Sequence, residues 1–354
     1  MDICVIASSR FPIAEPFAGG LEAWTHALVT ELNRRGHHVT LFAAPRSDPD
    51  LPVVTLPVHA FEPSERALAD VHAPPMAWMH EHHAYLGLML GLGRADAPAY
   101  DVVHNSSLHH LPVAMAAALS APMVTTLHTP PVPWLESAVA LSADPGSFVA
   151  VSEMTARAWS GVVSAAVIRN GVDVAAFRPG PGGGPAVWTG RMVPEKAPHE
   201  AMDAARLAGI DLVLAGPISD PAYVAREVQP RLGEGCWYAG HLRRHELAHL
   251  LGSASVAFVT PAWDEPYGPV AAEAMACGTP VAAYARGALA ELVRTDVGEL
   301  APPGDVGALA AAAHLALTRD RGAVRAYAEQ HCSLSRMVDE YERLYMVTTQ
   351  RRAA

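Results

Sequence analysis

The sequence is almost free of lysine, although it is well supplied with positive charge. It has 25 basic residues, and every one except Lys196 is an arginine. Abundant Ala, Gly, Pro and Arg are typical of a GC-rich coding bias. A compact ammonium cannot be exchanged for a guanidinium fork without changing the chemistry. We therefore expect Lys196 to be kept for its function, with chance retention as the alternative.

Other absences narrow the function classes. No apolar run reaches the roughly 18 residues of a membrane span. A net charge of -11 argues against nucleic acid or an anionic membrane as a partner. The segment 1–7 has no basic start, which predicts a strand rather than a signal peptide. The cysteines form no C-x-x-C pair, so we expect buried thiols in a reducing, cytoplasmic compartment; they are Cys4, Cys236, Cys277 and Cys332.

Short apolar strands alternate with amphipathic helices along the whole chain, which predicts parallel, doubly wound α/β sheets. A length of 354 residues favours two domains. The Pro- and Gly-rich stretch before residue 186 reads as their linker. We predict an N-terminal domain at 1–168, a hinge at 169–185, a second domain at 186–332 and a final helical segment at 333–354 that packs back on the first domain.

Predicted strands of the first domain lie at 2–8, 38–44, 101–104, 122–128 and 148–152. Those of the second lie at 186–189, 211–215, 236–239, 256–260 and 280–284. Residues 57–95 predict helices without clear bounds. Their run His80-Glu81-His82-His83 matches no common zinc spacing, so we expect no metal site there.

The most informative segment is 260–281, where a buried strand is followed by a loop and a helix. Pro269 suits the first helical position, and Gly268 allows the backbone to approach a ligand. The free N–H groups of a helix start favour an anion. Glu265 and Glu273 can accept hydrogen bonds from sugar hydroxyls and a ribose diol. Acidic residues near a helix start can also be merely structural.

A second segment, 187–196, follows the first strand of the second domain. Gly190 and Arg191 end that strand, and Lys196 comes five residues later. Arginine offers a fork for phosphate oxygens and lysine a point charge, so both can hold a diphosphate in one crevice. A surface loop with an Arg–Glu pair is the alternative. We also place Gly216 and Leu242 in this donor site.

Together these segments resemble family 4 of the retaining glycosyltransferases, which have the GT-B fold. The family patterns are Gly-Arg-x4-Lys-Gly and E-P-F-G-x4-E-A-M-A-x-G-x-P-V. Two departures stand out, Ala197 for the glycine after the lysine and Tyr267 for the phenylalanine. The hinge segment 170–179, the glycine pair Gly19-Gly20 and the segment 126–128 also match.

The resemblance implies two Rossmann-like domains facing each other across a cleft, and transfer of a sugar with retention of anomeric configuration. Arg191 and Lys196 would hold and stabilise the leaving diphosphate, Glu265 the sugar and Glu273 the ribose. The donor site would be completed by backbone and ring contacts from Gly19, Gly20, Gly190, Tyr267, Gly268 and Pro269. A UDP-linked hexose is the expected cosubstrate, with no cofactor, no metal and no covalent nucleophile.

On the acceptor side the resemblance places His128 beside the anomeric carbon, and we add His104 and Trp134 as candidate contacts. The segment 47–100 has only Arg66 and Arg94 as cations, so stable membrane binding is not expected and a soluble small molecule, such as a natural product, is the predicted acceptor. A nucleotide-sugar epimerase and a non-catalytic sugar-nucleotide-binding protein remain alternatives. The sequence does not indicate the oligomeric state.

Overall fold

The computed structural model describes residues 1–353, in which two parallel sheets form the centres of two domains. The first sheet has the strand order β3-β2-β1-β4-β5-β6-β7. Its strands are β1 (Asp2–Ile6), β2 (His38–Ala43), β3 (Val53–Thr55), β4 (Val102–Asn105), β5 (Met123–Leu127), β6 (Ser147–Ala150) and β7 (Ala165–Val167). The helices of this domain are α1 (Gly20–Arg34), α2 (Glu65–Leu68), α3 (Met76–Leu92), α4 (His110–Ala114), α5 (Pro133–Leu141) and α6 (Glu153–Trp159).

The second sheet has the order β10-β9-β8-β11-β12-β13. Its strands are β8 (Ala186–Thr189), β9 (Leu212–Ala215), β10 (Cys236–Tyr238), β11 (Ala257–Val259), β12 (Val281–Tyr284) and β13 (Gly298–Ala301). Its helices are α7 (Pro198–Ala208), α8 (Pro221–Tyr223), α9 (Arg244–Ser253), α10 (Pro269–Ala276), α11 (Leu289–Leu292), α12 (Val306–Ala316) and α13 (Arg321–His331), and the chain continues into α14 (Leu334–Ala353).

Alternate side chains of each strand fill cores on opposite faces of the sheet, as the two-residue period of a strand requires. In β1, Ile3 and Val5 enter one core, whereas Cys4 and Ile6 enter the other. Because both faces are buried, the strands read as continuous apolar runs. The predicted doubly wound α/β class is thus confirmed, and all four cysteines are buried free thiols.

The sequence missed the short elements. The strands β3, β7 and β13, which span three or four residues each, were not predicted. Residues 57–95 contain α2 and the longer α3, which ends at Gly93. Within residues 1–353, no helix combines the length and apolar character needed to cross a bilayer.

The helix α14 returns to the first domain and completes its core. Met337, Tyr341 and Tyr345 are fully buried among residues of β1 and α1. The indole Nε1 of Trp24 donates to the sulfur of Met337 at 3.1 Å. Burial of these large side chains supplies most of the attachment, at about 25 cal/mol per Å² of apolar surface.

The chain connecting the domains crosses the start of α14 without space for a side chain. The amide of Val172 donates to the carbonyl of Cys332 at 2.7 Å, and the amide of Leu334 donates to the carbonyl of Val172 at 2.8 Å. A Cβ atom on Gly171 would lie 2.6 Å from the Cα of Leu334. The hinge therefore depends on glycine at this crossing.

We expect Gly171→Ala to lower the free energy of unfolding by about 1–3 kcal/mol, because backbone must move to admit the methyl group. Urea denaturation followed by tryptophan fluorescence measures this. The control is Gly161→Ala, where an added Cβ meets no atom within 4 Å. Equal stability of the two variants would contradict the close crossing.

Candidate active site

The carboxyl ends of the strands open onto one cleft between the domains, with a cavity volume of about 220 Å³. The first domain contributes the Gly19–Gly20 turn at the start of α1. The second contributes the loops that follow β8, β9, β10 and β11, and residues 170–173 of the hinge also line the cleft. Ligands of open α/β sheets bind at such strand ends. The architecture therefore supplies a site whose walls belong to both domains.

Every residue that the sequence assigned to the donor site lies in the wall of this cleft. Their individual roles remain predictions, but their convergence is a property of the fold. They are Gly19, Gly20, Gly190, Arg191, Lys196, Gly216, Leu242, Glu265, Tyr267, Gly268, Pro269 and Glu273.

The lysine is paired with the first glutamate of the motif. The Nζ atom of Lys196 donates to Oε2 of Glu265, which also accepts from the indole Nε1 of Trp263 at 3.2 Å. Glu265 is 6% exposed. The ammonium lies 5.5 Å from the centre of the Trp263 ring, within cation–π range. A buried carboxylate needs such a cation, so the pair fixes the positions of two loops.

The Lys196 loop ends in a strained residue. Ala197 has φ 44° and ψ 52°, the left-handed region that glycine adopts at little cost. The family pattern has glycine at this position. A hydrogen bond from Oγ1 of Thr260 to the carbonyl of Ala197 at 3.0 Å supports the turn. Alanine thus adopts here the left-handed conformation that the glycine of the family pattern favours.

Close backbone packing presents Arg191 to the cleft. A Cβ on Gly216 would lie 2.0 Å from the carbonyl oxygen of Gly190, so the ends of β8 and β9 need glycine at that contact. Among the described residues, the guanidinium of Arg191 makes one long ion pair, with Glu195 at 3.9 Å, and its side chain is 38% exposed. It is therefore available to an anionic ligand.

The second glutamate of the motif has a cation nearby but no hydrogen-bond partner for its carboxyl among the described residues. No side-chain hydrogen bond to Glu273 occurs among the described residues. Burial raises the pKa of its carboxyl to about 7, and Arg244 opposes this rise. The helix α10 that carries it begins after Gly268, whose φ is 89°. Glu273 is thus placed to accept hydrogen bonds from a ligand in the cleft.

Two further charged residues of the cleft region were not found from the sequence. Arg244, the first residue of α9, lines the cleft and forms a 3.1 Å ion pair with Glu15 of the other domain. Glu22 in α1 is 5% exposed, and burial raises the pKa of its carboxyl while Arg191 lowers it. The Arg243-Arg244 pair after β10 was the available signal, but twin arginines at a helix start resemble an ordinary exposed surface.

His128 lies behind the cleft wall. Its ring meets the indole of Trp24 edge-on, with ring centres 4.6 Å apart, and Trp24 lines the cleft. Its Nε2 atom is buried and has no hydrogen-bond partner among the described residues. Burial lowers the pKa of His128 to about 3, so the ring is neutral near pH 7. The neutral ring therefore supplies no positive charge to the cleft.

The prediction that His104 faces the acceptor is wrong. Its side chain is fully buried, and its ring nitrogens contact Tyr345 Oη at 2.5 Å and Thr126 Oγ1 at 2.8 Å. Both ring nitrogens therefore have a hydrogen-bond partner, one from α14 and one from β5. His104 therefore joins the C-terminal helix to the first sheet.

Trp134 is 62% exposed and, like His109 and His110, lies outside the cleft wall. Its indole stacks on His110, with ring centres 5.2 Å apart. Trp134, predicted as an acceptor contact, is thus separate from this cleft. His109 and His110 meet His82 of α3, a grouping that spans residues 82–110 and that spacing alone did not reveal.

Comparison with known proteins agrees with this geometry. The family described as "Glycosyltransferase Family 4" matches residues 18–176, and "Glycosyl transferases group 1" matches residues 186–331. The chain is 30% identical to the glycogen synthase of Mycobacterium tuberculosis over 353 residues, covering 87% of this chain and 84% of the relative. The chain belongs to the family 4 glycosyltransferases.

Solved structures place this glycosyltransferase in the GT-B fold. A glycosyltransferase involved in avilamycin A biosynthesis is 23% identical, with a TM-score of 0.73 and coverage of 99% of this chain and 98% of that one. HepE of Anabaena, solved with UDP-glucose, is 18% identical, with a TM-score of 0.73 and coverage of 98% and 100%. At these identities the likeness establishes the fold alone.

Because the pKa of Glu273 is raised, we expect the folded glycosyltransferase to lose stability as the pH rises. The stability from the protonated carboxyl is full below its usual pKa of 4.5 and is lost as the pH rises through about 7. Between pH 5 and pH 8, we therefore expect the free energy of unfolding to fall by roughly 2–3 kcal/mol more in wild type than in Glu273→Gln.

Urea denaturation at the two pH values measures the difference. The exposed Glu136→Gln serves as the matched control and should follow wild type. Parallel loss of stability in wild type and Glu273→Gln would show that this carboxyl is not held at a cost.

Proposed function

We propose that this glycosyltransferase moves a hexose from a nucleotide-diphosphate sugar, with UDP as the favoured nucleotide, to a hydroxyl group of a soluble small molecule. The observation that supports this most is the convergence of Arg191 and Lys196 with Glu265 and Glu273 in one cleft. Two cations suit a diphosphate, and two carboxylates suit hydroxyl groups. The glycosyltransferase relatives and the UDP-glucose complex of HepE support the same donor class.

The geometry suits stabilisation of a leaving group. As the C1–O bond to the diphosphate breaks, charge develops on the phosphate oxygens, where Arg191 and Lys196 stabilise it. The Lys196 ammonium is already oriented by Glu265, so little reorganisation is needed. Because these cations neutralise the diphosphate, the proposal assigns no metal ion to the donor site.

Retention of anomeric configuration follows from the family resemblance. In that route the acceptor oxygen bonds to C1 on the face that the diphosphate leaves, and its proton passes to a departing phosphate oxygen. In this route Glu265, which is engaged with Lys196 and Trp263, binds the sugar and does not attack C1. The anomeric coupling constant of the product, measured by NMR, distinguishes retention from inversion.

A soluble acceptor of the natural-product kind and a cytoplasmic location are the remaining parts of the proposal. The segment 47–100 carries only two cations, which gives little attraction to anionic lipid. One structural neighbour is a glycosyltransferase involved in avilamycin A biosynthesis, and this supports a natural product as the acceptor class. Glycosylation of a glucan in place of small molecules would overturn this part and align the protein with its glycogen synthase relative.

The donor assignment is tested by binding of UDP-, GDP-, ADP- and TDP-sugars. We expect one nucleotide class to bind wild type, and Lys196→Ala to bind it about 10–100-fold more weakly, since a charge-assisted hydrogen bond is lost. Isothermal titration calorimetry provides the affinities. Release of nucleotide with transfer to an acceptor separates a transferase from an epimerase, which would return an altered nucleotide sugar.

Loss of Lys196 leaves Glu265 buried without its cation, which can destabilise the loop. The double variant Lys196→Met/Glu265→Gln removes both charges and keeps the fold testable. Arg206→Ala, on the exposed side of α7, is the cation control and should bind as wild type does. Undiminished donor binding by both Lys196 variants would refute the assignment.

A further inference from the structure

Three imidazoles converge in the first domain, away from the donor cleft. His82 lies on α3, His109 is the N-cap of α4 and His110 is its first residue. One ring nitrogen from each lies within 4.8 Å of the others. We propose that His82, His109 and His110 form a site for a divalent transition-metal ion of the zinc class.

The available ligand atoms determine the class of metal. Imidazole nitrogen suits Zn²⁺, Co²⁺, Ni²⁺ and Cu²⁺, whereas Mg²⁺ and Ca²⁺ prefer oxygen. The neighbouring carboxylate of Glu81 is directed toward Arg10 at 3.5 Å and Ser9 at 3.4 Å. The cluster therefore offers three nitrogen ligands, and water or an added ligand can take the fourth position of a tetrahedral site.

Each ring is held by a different aromatic neighbour. The centre of His82 lies 4.8 Å from that of Trp78, and the centre of His109 lies 4.4 Å from that of Tyr85. His110 is stacked on Trp134. The rings of His109 and His110 also stack on each other, with centres 4.3 Å apart. These stacks limit the orientations of the imidazoles, so less freedom is lost when an ion binds.

One nitrogen of the cluster has no partner in the protein. Nδ1 of His82 is buried and makes no hydrogen bond with any described residue. Buried polar atoms are almost always satisfied, and an exception requires an explanation. A bound metal ion, which takes its place among the three rings, supplies one.

The ligand nitrogens are spaced more widely in this structure than in a zinc site. Zinc–nitrogen bonds of about 2.0–2.1 Å in a tetrahedron set ligand nitrogens about 3.3 Å apart. The rings must therefore approach one another by about 1.5 Å at most from their present limit of 4.8 Å. This approach requires the rings of His82 and His110, which are only partly buried, to shift against Trp78 and Trp134.

Metal binding would change one specific hydrogen bond. Nδ1 of His109 accepts from the amide of Leu111 at 3.2 Å. Ligation through Nδ1 displaces that amide, and ligation through Nε2 requires the ring proton to move to Nδ1. Both routes open the bond, so the Leu111 amide reports on occupancy without reference to catalysis.

The site is independent of the donor chemistry. None of the three histidines lines the cleft, and the proposed donor site uses Arg191 and Lys196 in place of a metal. We therefore expect donor affinity to be the same before and after metal is added. A change in metal binding with unchanged donor affinity separates this inference from the proposed function.

The test is a Co²⁺ titration of the untagged, chelator-treated full chain, followed by visible absorption and by competition with Zn²⁺. We expect one Co²⁺ per chain with the intense bands of a tetrahedral site, displaced by Zn²⁺. His82→Phe, which preserves a ring against Trp78, and His110→Ala should each weaken binding at least 10-fold. His83→Ala is the matched control, because His83 lies beside His82 but stacks on Phe61.

Thermal unfolding of each variant verifies the fold, and the Leu111 amide resonance should shift when Zn²⁺ is added to wild type. Absence of a one-to-one Co²⁺ complex in wild type would overturn the proposal. So would binding by His82→Phe and His110→Ala that equals wild type, because the ion would then occupy other ligands.

Discussion

The donor site depends on the burial of one carboxylate and the cation that makes this burial possible. Glu265 stands at the end of β11, largely removed from water, where an unpaired charge would be costly. Lys196 arrives from a different loop and compensates it. Because removal of one member of such a pair costs more than removal of both, the two loops are constrained to remain together. Arg191 and Glu273 take their positions around this pair.

The pair lies in only one of the two domains, so the rest of the structure must position the other domain against it. The helix α14 buries its aromatic side chains in the first core after the chain has left the second domain. On the opposite side, Arg244 contacts Glu15, and Nε2 of His241 lies 2.9 Å from the carbonyl oxygen of Phe17. These two polar contacts are partly exposed to water, which suits a cleft that opens and closes around a substrate.

The parts predictable from the sequence are those determined by neighbouring residues. The start of α10 matches the prediction because Gly268 and Pro269 fix it. The donor residues follow the ends of strands that are evident in the sequence as apolar runs. His104 could not be placed, since its partner Tyr345 follows 241 residues later. His82 joins His109 and His110 only through the packing of α3 on α4, which leaves no local spacing to read. The short helices α5 and α6 similarly depend on tertiary contacts.

The central claim, that the Lys196–Glu265 pair is the prepared half of a diphosphate-sugar site, is tested most directly by a crystal structure with the bound nucleotide sugar. The account predicts phosphate oxygens within hydrogen-bond distance of Arg191 and Lys196, sugar hydroxyls at Glu265, and the ribose diol at Glu273. A nucleotide bound elsewhere in the cleft, with the lysine ammonium remote from every phosphate oxygen, would contradict it.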